Sequence, residues 1–179
     1  MNHYTKALSF TLCLALLSIT GNVGHAQQER ITFDSGTSGK WLGSSLEYFI
    51  DSTKQMDLNS ARVRRQWENG ARQILGFGFS NDNYWLRLKF TVPKTMATEY
   101  VFNLDYAALS DVSFFLLKDG VIVNQTDMGG KSFSDRPLPF RAFNLPMGQL
   151  HGDYDLYLKV YPPRHTVEIP ARIFTKKDF

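Results

Sequence analysis

The clearest pattern in the chain is the alternation of apolar and polar positions between Ser80 and Val92. Tyr84, Leu86, Leu88, Phe90 and Val92 fall on one side of an extended backbone; Trp85, Arg87, Lys89 and Thr91 fall on the other. A period of two predicts a β-strand with one face in a core. Its Trp lies among the cations, so the ring is either covered by another part of the fold or available to a ligand. The same alternation recurs in Glu99–Tyr106 (Tyr100, Phe102, Leu104 and Tyr106 inward) and in Asp153–Tyr161 (Tyr154, Leu156, Leu158 and Val160 inward).

Shorter signals fill in the rest. Leu46–Ile50 reads as a strand broken by Asp51-Ser52-Thr53, and Gln73–Phe79 as a strand loosened by two glycines. Asp111–Lys118 and Val121–Asp127 flank Asp119-Gly120, a strong hairpin signal. A turn-rich stretch, Lys131–Pro139, precedes a short strand near Phe140–Leu145; Pro146–Gly152 reads as a turn region and Val167–Phe174 as the last strand. Asp57–Trp67 is the one helix candidate, capped by Asn59 or Ser60. About eight strands at short spacing with one helix predict an all-β sandwich or barrel.

The N-terminus stands apart. Lys6, the apolar run Ala7–Ile19 and small residues at Gly24 and Ala26 predict a cleaved signal peptide over 1–26. A flexible lead-in over 27–39 and one folded domain over 40–179 would follow. The single cysteine, Cys13, lies in the leader, so the exported chain has no disulfide to rely on. Of 20 Lys and Arg against 17 Asp and Glu, one lysine leaves with the leader, and the near balance excludes a nucleic-acid partner. No later apolar run approaches the length that spans a bilayer.

Enzymatic motifs are missing. There is no phosphate loop and no Gly-x-Ser-x-Gly turn, and His151 and His165 sit in predicted turns without metal-ligand spacing. No catalytic residue is expected. If the three alternating strands share a sheet, their outward residues pool Trp85, Arg87 and Lys89 with Asn103, Asp105, Asp155, Tyr157, Lys159 and Tyr161. Rings beside hydrogen-bonding groups suit a sugar, whose C–H faces lie on aromatics while its hydroxyls meet charged and amide groups. The structural alternative is an Arg87–Asp105 ion pair, with Trp85 covered by the helix or by the Lys131–Pro139 loop. Asn81, Asp82 and Asn83 supply three oxygen-bearing side chains to a loop, a calcium reading set against an ordinary Asx-rich turn.

The stretches LEYFID, LGFGFSNDNYWLRLKF, LDYAALSDVSFFLL, FSDRPLPFRAF, DYDLYLKV and EIPARIF, in this order and spacing over Trp41–Phe179, resemble the extracellular domain of bacterial 7TMR-DISM receptors, the seven-transmembrane receptors with diverse intracellular signalling modules. The resemblance implies a periplasmic jelly-roll β-sandwich similar to carbohydrate-binding modules, sensing a carbohydrate or another small ligand, with calcium as an alternative. It also implies a membrane-embedded signalling module as partner, to which the domain is tethered if seven transmembrane helices follow Phe179. The competing expectations are a detached soluble relative and a protein-interaction module.

Overall fold

The computed structural model describes residues 29–34, 36–96, 98–129, 142–162 and 165–179, and of His165 only the backbone. The strands run β1 (Ile31–Thr32), β2 (Glu47–Asp51), β3 (Glu68–Asn69), β4 (Leu75–Ser80), β5 (Asn83–Val92) and β6 (Glu99–Leu104). They continue with β7 (Asp111–Lys118), β8 (Val121–Asp127), β9 (Phe143–Gln149), β10 (Gly152–Tyr161), β11 (His165–Ile169) and β12 (Ala171–Thr175). One helix, α1 (Leu58–Val63), lies between β2 and β3. The result is an all-β sandwich, as the alternation predicts.

The main sheet has the order β3-β2-β5-β10-β7-β8, with β1 added in parallel to the far end of β5. Its centre explains the alternating strands. Leu86, Leu158 and Phe114 lie in register across β5, β10 and β7, and Leu88, Leu156 and Leu116 form the next row. All six side chains are buried, and each full burial of this kind stabilises by roughly 1.5–3 kcal/mol. Opposite them stand the three-stranded unit β12-β6-β9 and the pair β11-β4. Phe102 of β6 meets Phe114 of β7 edge to face at 5.6 Å, joining the two layers.

Several local expectations are corrected. The helix is shorter than Asp57–Trp67, and its cap is Asp57, whose carboxylate accepts from the Ser60 N–H at 2.8 Å, not Asn59 or Ser60. Asp57 has the extended backbone that an N-cap needs, whereas Asn59 and Ser60 lie inside the helix. The expected last strand is two, β11 and β12, separated by Pro170. Most of the expected turn at Pro146–Gly152 belongs to β9, which reaches Gln149. Part of the expected lead-in is built into the fold: Ile31 and Thr32 pair with Phe90 and Thr91, and Phe33 is buried against Phe90 and Tyr100. The hairpin falls where expected, with positive φ at both Asp119 and Gly120 as a primed turn requires. The leader over 1–26 and the Lys131–Pro139 loop lie outside the described residues.

A second, smaller core occupies the outer face of the main sheet. Phe49, Trp67, Trp85, Leu117 and Tyr157 pack with Ala61 of α1, while Met56, Leu58 and Phe115 close its edges. The segment between β2 and β3 therefore roofs part of the sheet. Its path is tight: a Cβ at Gly70 would stand 1.9 Å from the Gly43 carbonyl oxygen, so a side chain there requires the backbone to move.

Candidate ligand-binding groove

β5 and β10 are neighbours, so Trp85, Arg87, Tyr157, Lys159 and Tyr161 do share the outer face of the main sheet. Asn103 and Asp105 do not join them. β6 belongs to the opposing layer, where Asn103 Nδ2 donates to Asn144 at 2.8 Å and Arg172 bridges Asn103 and Asp105. A period of two identifies a strand's faces but not its sheet, and the pooled surface is thus split between opposite sides of the sandwich.

The ion pair of Arg87 is also different from the expected one. Its Nε donates to Glu47 of β2 at 2.7 Å, both side chains being buried, while Asp105 pairs with Arg172 at 3.1 Å. Burial alone would disfavour the Arg87 charge, but the Glu47 carboxylate outweighs it and holds the guanidinium more firmly protonated than usual. The guanidinium also stacks on the Trp67 ring, 4.3 Å from its centroid. Burial raises the Tyr157 hydroxyl above its ordinary range, against the opposing effect of Arg87.

Trp85 is fully covered, at 0% exposure. Phe49 and Phe115 lie nearly parallel to its ring at 6.4 and 6.1 Å, and the Lys159 ammonium stands 5.5 Å from the centroid. The same ammonium donates to the Met56 carbonyl at 3.0 Å, fastening the approach to α1 onto the sheet. Asp51 organises that approach. Burial acts to raise its carboxyl pKa, but the Thr53 hydroxyl and the N–H groups of Met56, Lys54 and Thr53 outweigh burial and hold it below the usual range.

Two adjoining clefts open on this face. One, of about 370 Å³, is lined by Lys54, Asn83, Asp111, Ser113, Lys159 and Tyr161. The other, of about 400 Å³, runs between Asp57, Leu58 and Asn59 on one wall and Ile122, Gln125 and Asp127 of β8 on the other; Trp85, Ser113, Phe115 and Lys159 form its floor. Ser113 and Lys159 belong to both, so the clefts make one groove across β5, β10 and β7. Lys54 reaches it from a residue with φ of 61°, a left-handed conformation uncommon outside glycine, and its ammonium lies 5.7 Å from the Tyr161 ring. Asp111, Ser113, Gln125 and Asp127 escape sequence reasoning because β7 and β8 show only a hairpin there, with no chemical motif.

The Asn81–Asn83 residues meet one end of the groove with separate partners. Asn81 Oδ1 accepts from the Tyr161 hydroxyl at 3.3 Å, the Asp82 N–H donates to the Ser80 hydroxyl, and Asn83 Nδ2 donates to the Lys54 carbonyl at 3.5 Å. Among the described residues no three His, Cys, Asp or Glu side chains converge as a metal-binding cluster.

A two-layer β-sandwich with a polar, aromatic-floored groove on one outer face is the architecture that these observations define. The chain belongs to the 7TMR-DISM extracellular 2 family, whose profile matches residues 43–175. That family consists of receptor sensory domains, a class that is not typically enzymatic, and an extracellular-type domain implies an exported location. Among the described residues no helix is long and apolar enough to cross a membrane. A search of curated proteins found no match.

Proposed function

We infer that this domain is the periplasmic, ligand-sensing part of a 7TMR-DISM-type signalling system, delivered by the N-terminal leader, and that its ligand is a carbohydrate or similarly hydroxylated small molecule. The observation that carries this reading is the continuous groove on the main sheet. Lys54, Asp111, Ser113, Gln125, Asp127 and Lys159 offer it a mixture of donors and acceptors, beside the rings of Tyr161 and Phe115. Such a mixture suits a polyol, each of whose hydroxyls both gives and takes a hydrogen bond. A groove of this size with convergent polar groups is where ligands are expected. Of the residues picked from the sequence, Asn83, Trp85, Lys159 and Tyr161 line it, while Tyr157 lies in the small core under α1 and Arg87 lies against Glu47 and the Trp67 ring.

The test is a glycan array probed with the wild-type domain and with Tyr161→Ala and Lys159→Ala. One or more glycans should bind, and each substitution should weaken binding about tenfold, as expected for the loss of one good contact. An array on which the wild type binds nothing, or binding untouched by both changes, would rule out this groove as a sugar site.

A further inference from the structure

The indole Nε1 of Trp85 is buried and has no hydrogen-bond partner among the described residues. Trp67 shows the usual arrangement in the same small core, its Nε1 donating to the Arg64 carbonyl at 3.1 Å. A buried N–H normally finds an acceptor, and one left without marks either a cost or a function. Here the unpaired group belongs to a ring that forms the floor of the cleft between α1 and β8. The ring is nonetheless sealed from solvent. Beside it, Lys159 donates to the Met56 carbonyl at 3.0 Å, and Leu58 forms part of the cleft wall.

We propose that a ligand seated between α1 and β8 presents an acceptor oxygen to Trp85 Nε1, and that the first turn of α1 moves off the sheet to admit it. This rests on the groove reading above and adds which atom reads the ligand and which segment responds. The physical argument is a difference between two states. In the closed state the N–H is unsatisfied, whereas in the liganded state it has a partner, so the ligand favours the open arrangement by the worth of that bond. Lys159 exchanges one partner for another: released from the Met56 carbonyl, its ammonium, 5.5 Å from the ring centroid, can turn to the same oxygen. The chemistry required is an oxygen that accepts from an N–H beside an ammonium, such as a carboxylate, an amide carbonyl or a sugar hydroxyl. The segment that moves is held to the sheet by Ala61, Met56 and Leu58 in the small outer core and by the Lys159 bond to Met56, with the Asp51 turn at one end and the Arg62 bond to the Gly120 carbonyl, 2.9 Å, at the other.

The experiment is a titration of the ¹³C,¹⁵N-labelled chain with galacturonate, N-acetylglucosamine and methyl glucoside, followed at the indole N–H resonances and the backbone. Trp41→Phe and Trp67→Phe assign the Trp85 signal by elimination. The expected result is that a bound probe shifts the Trp85 indole and the Met56 carbonyl carbon, leaves the Trp67 indole in place, and binds Trp85→Phe about tenfold more weakly. The carboxylate, amide and hydroxyl arms distinguish the acceptor by which probe moves the indole furthest. Shifts at Ser113 or Tyr161 with the Trp85 indole or Met56 unmoved would overturn the inference and leave the groove reading standing. No shift with any probe would overturn both. Should Trp85→Phe fail to fold, the wild-type indole signal decides alone.

Discussion

β5 is buried on both faces, but by different means. Its inner face enters a core made of hydrophobic side chains alone, from Tyr84, Leu86 and Leu88 across to Phe102, Leu145 and Ile173. Its outer face is covered by a short roof, and beneath or beside that roof lie the carboxylates of Glu47 and Asp51 and the guanidinium of Arg87, all nearly inaccessible. Apolar packing on the inner side tolerates small displacements. On the outer side, every buried charge has a particular partner, and losing one partner exposes the whole desolvation cost of the other. The outer layer is therefore the part of this molecule in which the loss of a single partner should cost most.

The largest effect is expected from Glu47→Gln. It leaves the Arg87 guanidinium buried without its carboxylate and should cost about 3 kcal/mol, read by urea denaturation. Replacing both members, Glu47→Leu with Arg87→Met, removes the charges together and should return stability to within about 1 kcal/mol of wild type. If the single change costs no more than the double, the outer layer is held by packing, like the inner one, and the contrast fails.

Asp51 gives a smaller effect with a pH signature. Its carboxyl is held below the ordinary range by the hydrogen bonds from residues 53–56, so the ionised form is bound more tightly in the folded chain than in the unfolded one. That stability is fully present above the unfolded pKa, about 3.9, and is lost as pH falls from there through the lower folded value. Asp51→Asn should cost about 1–3 kcal/mol at neutral pH, for the loss of a buried charged acceptor. It should also abolish the part of acid destabilisation that appears below about pH 4 in wild type. Denaturation midpoints from pH 7 to pH 2.5 check both; equal acid slopes in the two proteins would show that the turn does not depend on this charge.

The two sides also differ in how far they can be read from the residues. The inner face of β5 is legible in its alternation, because period two and apolar burial are the same fact seen twice. The β7–β8 hairpin is legible because Asp119-Gly120 supplies the left-handed backbone that its turn needs. The outer face is not. Glu47 and Arg87 are forty residues apart in the chain, and nothing local to LEYFI indicates that its acid is buried. The Trp85 question could be posed from sequence, but its answer depends on the fold of residues 52–67, where the cap is Asp57 and the helix ends at Val63. Asn103 and Asp105 belong to the other surface, because β6 shares the alternation of β5 and β10 while pairing in the opposing layer.

The mildest test concerns motion rather than stability. Arg62 lies exposed on α1 and donates to the Gly120 carbonyl, tying the roof to the β7–β8 hairpin. Removing an exposed contact of this kind should change global stability by less than about 0.5 kcal/mol. Local opening is a separate quantity, and a short helix whose ties to the sheet are few should open well before the sheet does. Arg62→Ala should therefore leave the denaturation midpoint almost unchanged while speeding amide exchange at Ala61 and Arg64, whose N–H groups are bonded to the Asp57 and Ala61 carbonyls. The amides of Leu86 and Leu158 in the central strands should keep their wild-type rates, since they sit in β5 and β10 between paired neighbours. Exchange that quickens equally in α1 and in the central strands would mean that roof and sandwich open as one unit, and that the outer layer has no independence from the inner one.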